Sequence, residues 1–341
     1  MRKDINIVEV AKKANVSIAT VSRVFNNSGK VKESTRRKIE QIIEETGYYP
    51  NILARELAEK KTSLIGMIVH NMTGEGMPRA INGVSEVLIK RGYNLLIACT
   101  NGVFENEQKH FEIFRSKRVD GIIFATDKFL TAHERMIKKL PIPVLSLLQV
   151  TEKENIPFVS FDNYRFAKEA TQKLIELGHS RICFIGGPES SVNGLERFRG
   201  FTDALKEAGI KINKDLIING NFHVEDSYHK MKVILDRNRD FTAVITINDG
   251  MAIGAINCLE KHNILVPDQV SVLGLDLTVL ASTSRLKLSG VQYSYETLGE
   301  KGAEILLNLI ESEDTLFDKY IVPYDIYLRE SVSCRSKSFK P

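Results

Sequence analysis

The sequence predicts an α/β protein in which a small all-α module precedes a two-lobed body of two parallel, doubly wound sheets. Three observations carry that reading. Near Lys60-Lys61-Thr62 the chain changes texture, from helical and dense in charge to an alternation of apolar runs and amphipathic stretches. The apolar runs, at 64–69, 93–98, 121–125, 144–148, 158–161, 181–186, 243–247 and 270–275, are near-continuous and β-rich, as strands covered on both faces must be. About ten such strands are too many for one compact doubly wound sheet and suit two.

The 341 residues, 43% of them hydrophobic, are enough for a small module and a larger body, and with 9 prolines and 22 glycines nothing suggests disorder. The formal net charge is +4, but residues 1–61 hold 13 Lys/Arg against 8 Asp/Glu, and the rest holds 34 against 35. The positive excess thus lies at the front, where a polyanion is the expected partner. Cys99, Cys183, Cys258 and Cys334 form no CxxC pair, which argues against a zinc site or disulfide scaffold and fits a reducing compartment. Cys99, Cys183 and Cys258 lie in apolar stretches and are expected as small buried hydrophobes. No apolar run follows Met1-Arg2-Lys3-Asp4-Ile5, and none reaches the roughly 18 residues of a membrane span. A cytoplasmic protein with no membrane partner is expected.

In the front module Asn6 can cap a first helix over 7–14, with Glu9 three residues on. A turn at Asn15-Val16-Ser17 leads to a second helix reaching Phe25, and a third runs from Glu33 to Thr46, closed by Gly47. Val21, Val24 and Phe25 should face the core, leaving Ser17, Ile18, Ala19, Ser22 and Arg23 outward. Such a narrow, small-residue face suits a helix-turn-helix whose second helix enters the major groove. Ile18 can meet a thymine methyl, and the hydroxyls of Ser17, Thr20 and Ser22 can bond base edges or phosphates. Arg23, Arg36 and Lys38 can reach phosphates.

The string Asn15-Val16-Ser17-Ile18-Ala19-Thr20-Val21-Ser22-Arg23-Val24-Phe25-Asn26 closely resembles the headpiece of the LacI/GalR family of bacterial transcriptional regulators. The likeness continues through Val31-Lys32-Glu33-Ser34-Thr35-Arg36, Gly47-Tyr48-Tyr49-Pro50-Asn51 and Ala54-Arg55-Glu56-Leu57 to Arg329-Glu330-Ser331. It implies a headpiece over 1–50 whose DNA contacts include Asn26 as well as the outward face of helix two. It also implies a hinge helix and linker over 51–61, started by Asn51, with Ala54 at a close helix–helix contact and Leu57 wedged between minor-groove bases. The body, 62–334, would then be an effector-binding and dimerisation domain that resembles periplasmic sugar-binding proteins. Its first lobe would comprise 62–161 and 293–322, its second 162–292 and 323–334, with 335–341 as a tail.

Strand ends facing the cleft supply the candidate effector contacts. The resemblance assigns Arg197 as the ligand-gripping arginine. Asp276 and Asn248 each follow an apolar strand, and Phe161 and Tyr295 can stack on a sugar ring. His70 ends the first strand. Leu277 stands where a second acid is common in the family, and Leu148-Gln149 where an Asp is common; the loop 70–77 lacks the usual Pro-Phe texture. The implied function is a homodimeric repressor of carbohydrate-utilisation genes, released from a palindromic operator by a small sugar effector. A corepressor-dependent regulator and a global carbon-catabolite regulator with a phosphorylated carrier protein as partner remain the alternatives. Gly186-Gly187-Pro188 is not GxGxxG, and Pro188 removes a donor that a phosphate cradle needs, so a nucleotide enzyme is not expected. Neither a metal nor a cofactor is expected.

Overall fold

The computed structural model describes residues 5–25, 29–48, 61–153, 155–311 and 318–335. They fall into two compact units that divide between Thr62 and Ser63.

In the first unit, α1 (Ile7–Ala14) begins with a reciprocal cap. Asn6 Oδ1 accepts the Glu9 amide at 3.1 Å, and Glu9 Oε2 accepts the Asn6 amide at 3.3 Å. Asn15 closes the helix in the left-handed region, at φ 58°. Ser17 starts α2 (Ile18–Phe25), its Oγ accepting the Thr20 amide at 3.2 Å. α3 (Glu33–Thr46) ends at Gly47, φ 59°. Val10, Ala11, Ala14, Val21, Val24, Ile39 and Tyr48 close a single small core. Phe25, expected in that core, is instead 42% exposed. Val21 and Val24 already fill the inner stripe of α2, and one position further turns the side chain about 100° away from it.

The second unit opens with β1 (Leu64–Val69), α4 (Gly76–Lys90), β2 (Asn94–Cys99), α5 (Phe104–Ser116), β3 (Gly121–Ala125), α6 (Thr131–Ile137), β4 (Val144–Leu147) and β5 (Phe158–Ser160). Lobe two follows with α7 (Asn163–Glu176), β6 (Ile182–Gly186), α8 (Val192–Glu207), a 3-10 turn (Lys214–Leu216), β7 (Ile217–Asn219) and α9 (Val224–Arg237). It continues through β8 (Ala243–Thr246), α10 (Asp249–Lys261), β9 (Ser271–Gly274), α11 (Val279–Thr283) and β10 (Ser289–Tyr293). The chain then returns to lobe one with α12 (Tyr295–Glu311) and β11 (Lys319–Ile321), and β12 (Tyr324–Tyr327) crosses back.

The sheet orders are β11-β5-β4-β3-β1-β2 and β12-β10-β9-β8-β6-β7. Every pairing is parallel except the antiparallel β10–β12. In both sheets the chain steps outward once, from β1 to β2 and from β6 to β7, and then returns past its first strand. Strand order therefore reverses at β1/β3 and at β6/β8, and ligands bind outside the carboxyl ends of strands at such reversals. The central strands β1, β3, β4, β6, β8 and β9 are almost wholly buried, which is why their sequences read as continuous apolar runs. The short β7, β11 and β12 lack that signature because they lie at or beside sheet edges and keep partly exposed faces. Edge position also corrects the expectation for Cys99, which is exposed on β2, whereas Cys183 and Cys258 are buried.

Helices α4 and α12 meet at backbone distance. A Cβ on Gly299 would lie 1.9 Å from the Ala80 carbonyl oxygen, and one on Gly83 would lie 2.2 Å from that of Glu296. Only glycine permits this approach. The contact seats the first residue of α12, Tyr295, at the mouth between the lobes.

Candidate functional site

A cavity of about 380 Å³ lies between the lobes, and His70, Asp127, Phe161, Arg197, Asp276 and Tyr295 are on its wall. Each comes from a strand end or the first turns of a helix. His70 follows β1, Asp127 follows β3, Phe161 follows β5 and Asp276 follows β9, while Arg197 lies in the second turn of α8.

Arg197 is buried, only 8% exposed. Its Nε donates to Asn163 Oδ1 at 2.8 Å, Nη1 to the Ile247 carbonyl at 2.6 Å and Nη2 to Tyr293 Oη at 2.9 Å. The guanidinium also lies 5.1 Å from the centre of the Phe166 ring. Burial opposes its charge, but Tyr293, Asp276 and Tyr295 beside it outweigh that and hold it protonated. Of its five N–H groups, three are committed to the protein.

Asp276 does not cap the following helix; Thr278 does, its Oγ accepting the Leu280 amide. The Asp276 carboxylate is left for the cleft, where Tyr295 Oη donates to it at 2.7 Å. Burial pushes its pKa above the ordinary aspartate value, while Arg197 and the tyrosine bond pull the other way. Burial and the nearby carboxylate likewise raise the Tyr295 phenol, which stays a donor. Phe161 packs at 4.1 Å centroid distance on Tyr293 and edge-on at 5.3 Å to Tyr295, so the three rings form one aromatic wall. Asn248 borders the cavity but is also a helix cap: its Oδ1 accepts the Met251 amide at 2.7 Å and its Nδ2 donates to the Phe222 carbonyl at 3.1 Å.

On the first unit, Ile18 is 47% exposed at the start of α2. Ala19 and Arg23 are exposed beside it, and Thr20 and Ser22 are half-buried. The Ser17 and Thr20 hydroxyls lie 2.9 Å apart, so they share a hydrogen bond at the helix start. Arg36 is half-buried on α3, 4.0 Å from Glu40.

The comparisons with known proteins agree with this geometry. Residues 63–330 match the family described as periplasmic binding proteins and sugar binding domain of LacI family, and residues 6–51 match bacterial regulatory proteins, lacI family. The chain belongs to the LacI family. It is a DNA-binding transcriptional regulator and not an enzyme.

Among relatives, the chain is 31% identical to the HTH-type transcriptional regulator RegA of Clostridium saccharobutylicum over 96% of its own length and 98% of that protein's. It is 30% identical to catabolite control protein A of Priestia megaterium, over 96% and 99%. A ribose operon repressor of Halalkalibacterium halodurans is 28% identical over 95% and 96%. Of solved structures, the lac repressor dimer bound to operator and the anti-inducer ONPF superposes with a TM-score of 0.88 over 97% of this chain and 100% of that one; at 24% identity it shows the shared fold. The transcriptional regulator CelR in complex with cellobiose is 28% identical, with a TM-score of 0.72 over 96% and 99%.

Of the residues singled out for this LacI-family chain, His70, Phe161, Arg197, Asn248, Asp276 and Tyr295 all border one cavity. Asn26, Asn51, Ala54 and Leu57 lie outside the described residues. The sequence reading missed Asn163 and Tyr293, which hold Arg197, and Gln149, whose Nε2 donates from lobe one to Asn193 Oδ1 of lobe two at 3.4 Å. It also missed Asp127. That residue stands two past the end of β3, as Asp276 stands two past the end of β9, so the strand-end rule would have found both.

Proposed function

We propose that the chain is a homodimeric repressor of carbohydrate-utilisation genes that leaves a palindromic operator when a small sugar fills the cleft. One observation carries the effector half of this reading. Tyr295 of lobe one and Asp276 of lobe two share a hydrogen bond inside the cavity. A ligand that takes Asp276 alters the terms on which the lobes meet, and an effector works only through such a difference between states. The cellobiose complex and the ribose operon repressor among the similar proteins support a sugar.

For the DNA half, the exposed Ile18, Ala19 and Arg23 offer a small-residue face to the major groove, with Ser17, Thr20, Ser22, Asn26 and Arg36 around it. Each subunit would read one half-site of a palindrome. Asn51, Ala54 and Leu57 would serve the hinge, Leu57 as the wedge. The hinge segment leads directly into lobe one, so cleft closure and operator release would be linked through it.

The test is operator affinity by fluorescence anisotropy, with a duplex selected from a random library, with and without saturating cellobiose, ribose and related sugars. A coupling of about 1–3 kcal/mol gives roughly 5- to 150-fold weaker binding in the presence of the active sugar. Arg197→Ala should bind operator as the parent does and lose the response. Tighter operator binding with ligand would replace the inducer reading by the corepressor one.

A further inference from the structure

His70 Nε2 lies 3.3 Å from Asp127 Oδ2, at the strand reversal of lobe one and on the cavity wall. The pairing is built from the backbone outward. The β1–β3 ladder extends one residue past its strands, with the His70 amide donating to the Ala125 carbonyl at 3.0 Å. The loop that carries Asp127 is pinned from behind by a buried pair. Glu107 Oε1 accepts the Thr126 hydroxyl at 3.1 Å, and Glu107 Oε2 lies 2.8 Å from His133 Nε2. The other ring nitrogen of His133 accepts the Leu130 amide at 3.0 Å, so Nε2 carries the proton and donates to Glu107. Both side chains are at most 4% exposed. Asp127 itself keeps 39% of its side chain exposed. A rigid loop thus presents one carboxylate to the cleft.

This site answers a gap in the sequence. Leu148-Gln149 and Leu277 stand where acids are common in the family, yet a second acid, Asp127, reaches the cleft from the end of β3. Among the described lining residues, Glu75, Asp127, Asp249 and Asp276 bring four carboxylates against Arg197 as the one permanent cation. Asp249 spends Oδ2 on the Thr278 amide and hydroxyl, at 2.7 and 2.6 Å. Asp127 and Asp276, one from each lobe, are the acceptors best placed for ligand hydroxyls. Carboxylates accept hydrogen bonds from hydroxyls strongly and repel a phosphate.

We propose that Asp127, seated on His70, is the lobe-one acid of the effector grip, and that the cleft takes an uncharged, hydroxyl-rich ligand and rejects its phosphorylated form. The inference rests on reading this cleft as the effector site. The experiment is titration calorimetry of the full chain with neutral mono- and disaccharides, cellobiose and ribose among them, and with the matching sugar phosphates. The best neutral sugar should bind parent protein at least about tenfold tighter than its phosphate. Asp127→Asn should weaken the neutral sugar roughly 10- to 100-fold, the loss of one charge-assisted bond. It should weaken the phosphate less, so that selectivity narrows. A loosened loop would weaken both alike, which makes the ratio diagnostic; Glu75→Gln, away from that loop, should narrow it in the same direction. An unchanged ratio in both variants, a phosphate that binds parent as well as its sugar, or silence from every neutral sugar each overturns the proposal. A sugar that binds but leaves operator affinity unchanged overturns the repressor reading instead.

Discussion

The headpiece and the body solve different problems with different amounts of chain. In the headpiece the residues proposed to read DNA lie within one stretch, 17–23, with Val21 turned into the core, and helix caps close at separations of three residues. In the body, Arg197 is held by groups 34, 50 and 96 residues away. The first site is as stable as a local helix and a seven-residue core allow. The second is a by-product of two large parallel sheets and exists only once they are assembled. Damage should therefore stay confined: headpiece lesions should cost DNA binding and spare the cleft, and cleft lesions the reverse.

The strongest way to break that contrast is at the headpiece core. Ile39 is fully buried there, and Ile39→Ala should cost about 2–5 kcal/mol, comparable to the whole stability of so small a module. Operator binding should be lost while calorimetric sugar binding stays at the parental value; loss of both would show that the two units fold as one. A smaller effect is expected at Ala19, exposed on α2. Ala19→Gln should alter half-site preference by about 1–3 kcal/mol per changed base pair, read by selection from random duplexes. An unchanged preference would move the reading face elsewhere. Smaller again, Asn6→Ala removes one cap from α1 and should lower headpiece stability by about 1 kcal/mol, followed by the thermal midpoint of the helical signal in residues 1–61 expressed alone or in the full chain.

The smallest effect sharpens the comparison through pH. The headpiece has no histidine, whereas His179 in the body is 4% exposed, bonded to Thr242 Oγ1 at 3.0 Å and to the Ser333 carbonyl at 3.1 Å. The carbonyl can only accept, so Nε2 donates to it and Nδ1 accepts from the threonine hydroxyl. Burial lowers the pKa of this imidazole, the bond to Ser333 pulling the other way. The folded state therefore prefers the neutral ring. Its contribution is fully present above the unfolded value of 6.5 and declines as pH falls below it, because the unfolded chain takes up the proton first. Urea midpoints from pH 7.5 down to 5.5 should fall for the parent, and His179→Gln should flatten that slope. An equal slope in both proteins would assign the pH dependence to other groups.

Much of this was legible in the sequence, for reasons that differ by element. β1 and β3 match their expected bounds because strands buried on both faces must be apolar throughout. α1 and α2 were readable because Asn6, Glu9 and Ser17 act on neighbours three residues away. β11 and β12 were not, since a strand at the margin of a sheet carries no distinctive pattern. Phe25 misled because apolarity and helical spacing cannot say where a small core is already full.

The layout follows from the chain alone: a basic helical front, a body of alternating strands and helices, and the strand-end residues Asn248 and Asp276 as candidates for a cleft. Those features rest on local chemistry and on periodicities of two and 3.6 residues. Which polar groups the protein itself consumes is set by the folded arrangement. Arg197 is tied by Asn163, Ile247 and Tyr293, Asn248 is spent largely on a helix cap, and Asp127, locked in place by Glu107 and His133, faces the cavity. A buried donor or acceptor must find its partner wherever the fold brings one, and no spacing along the chain records that choice.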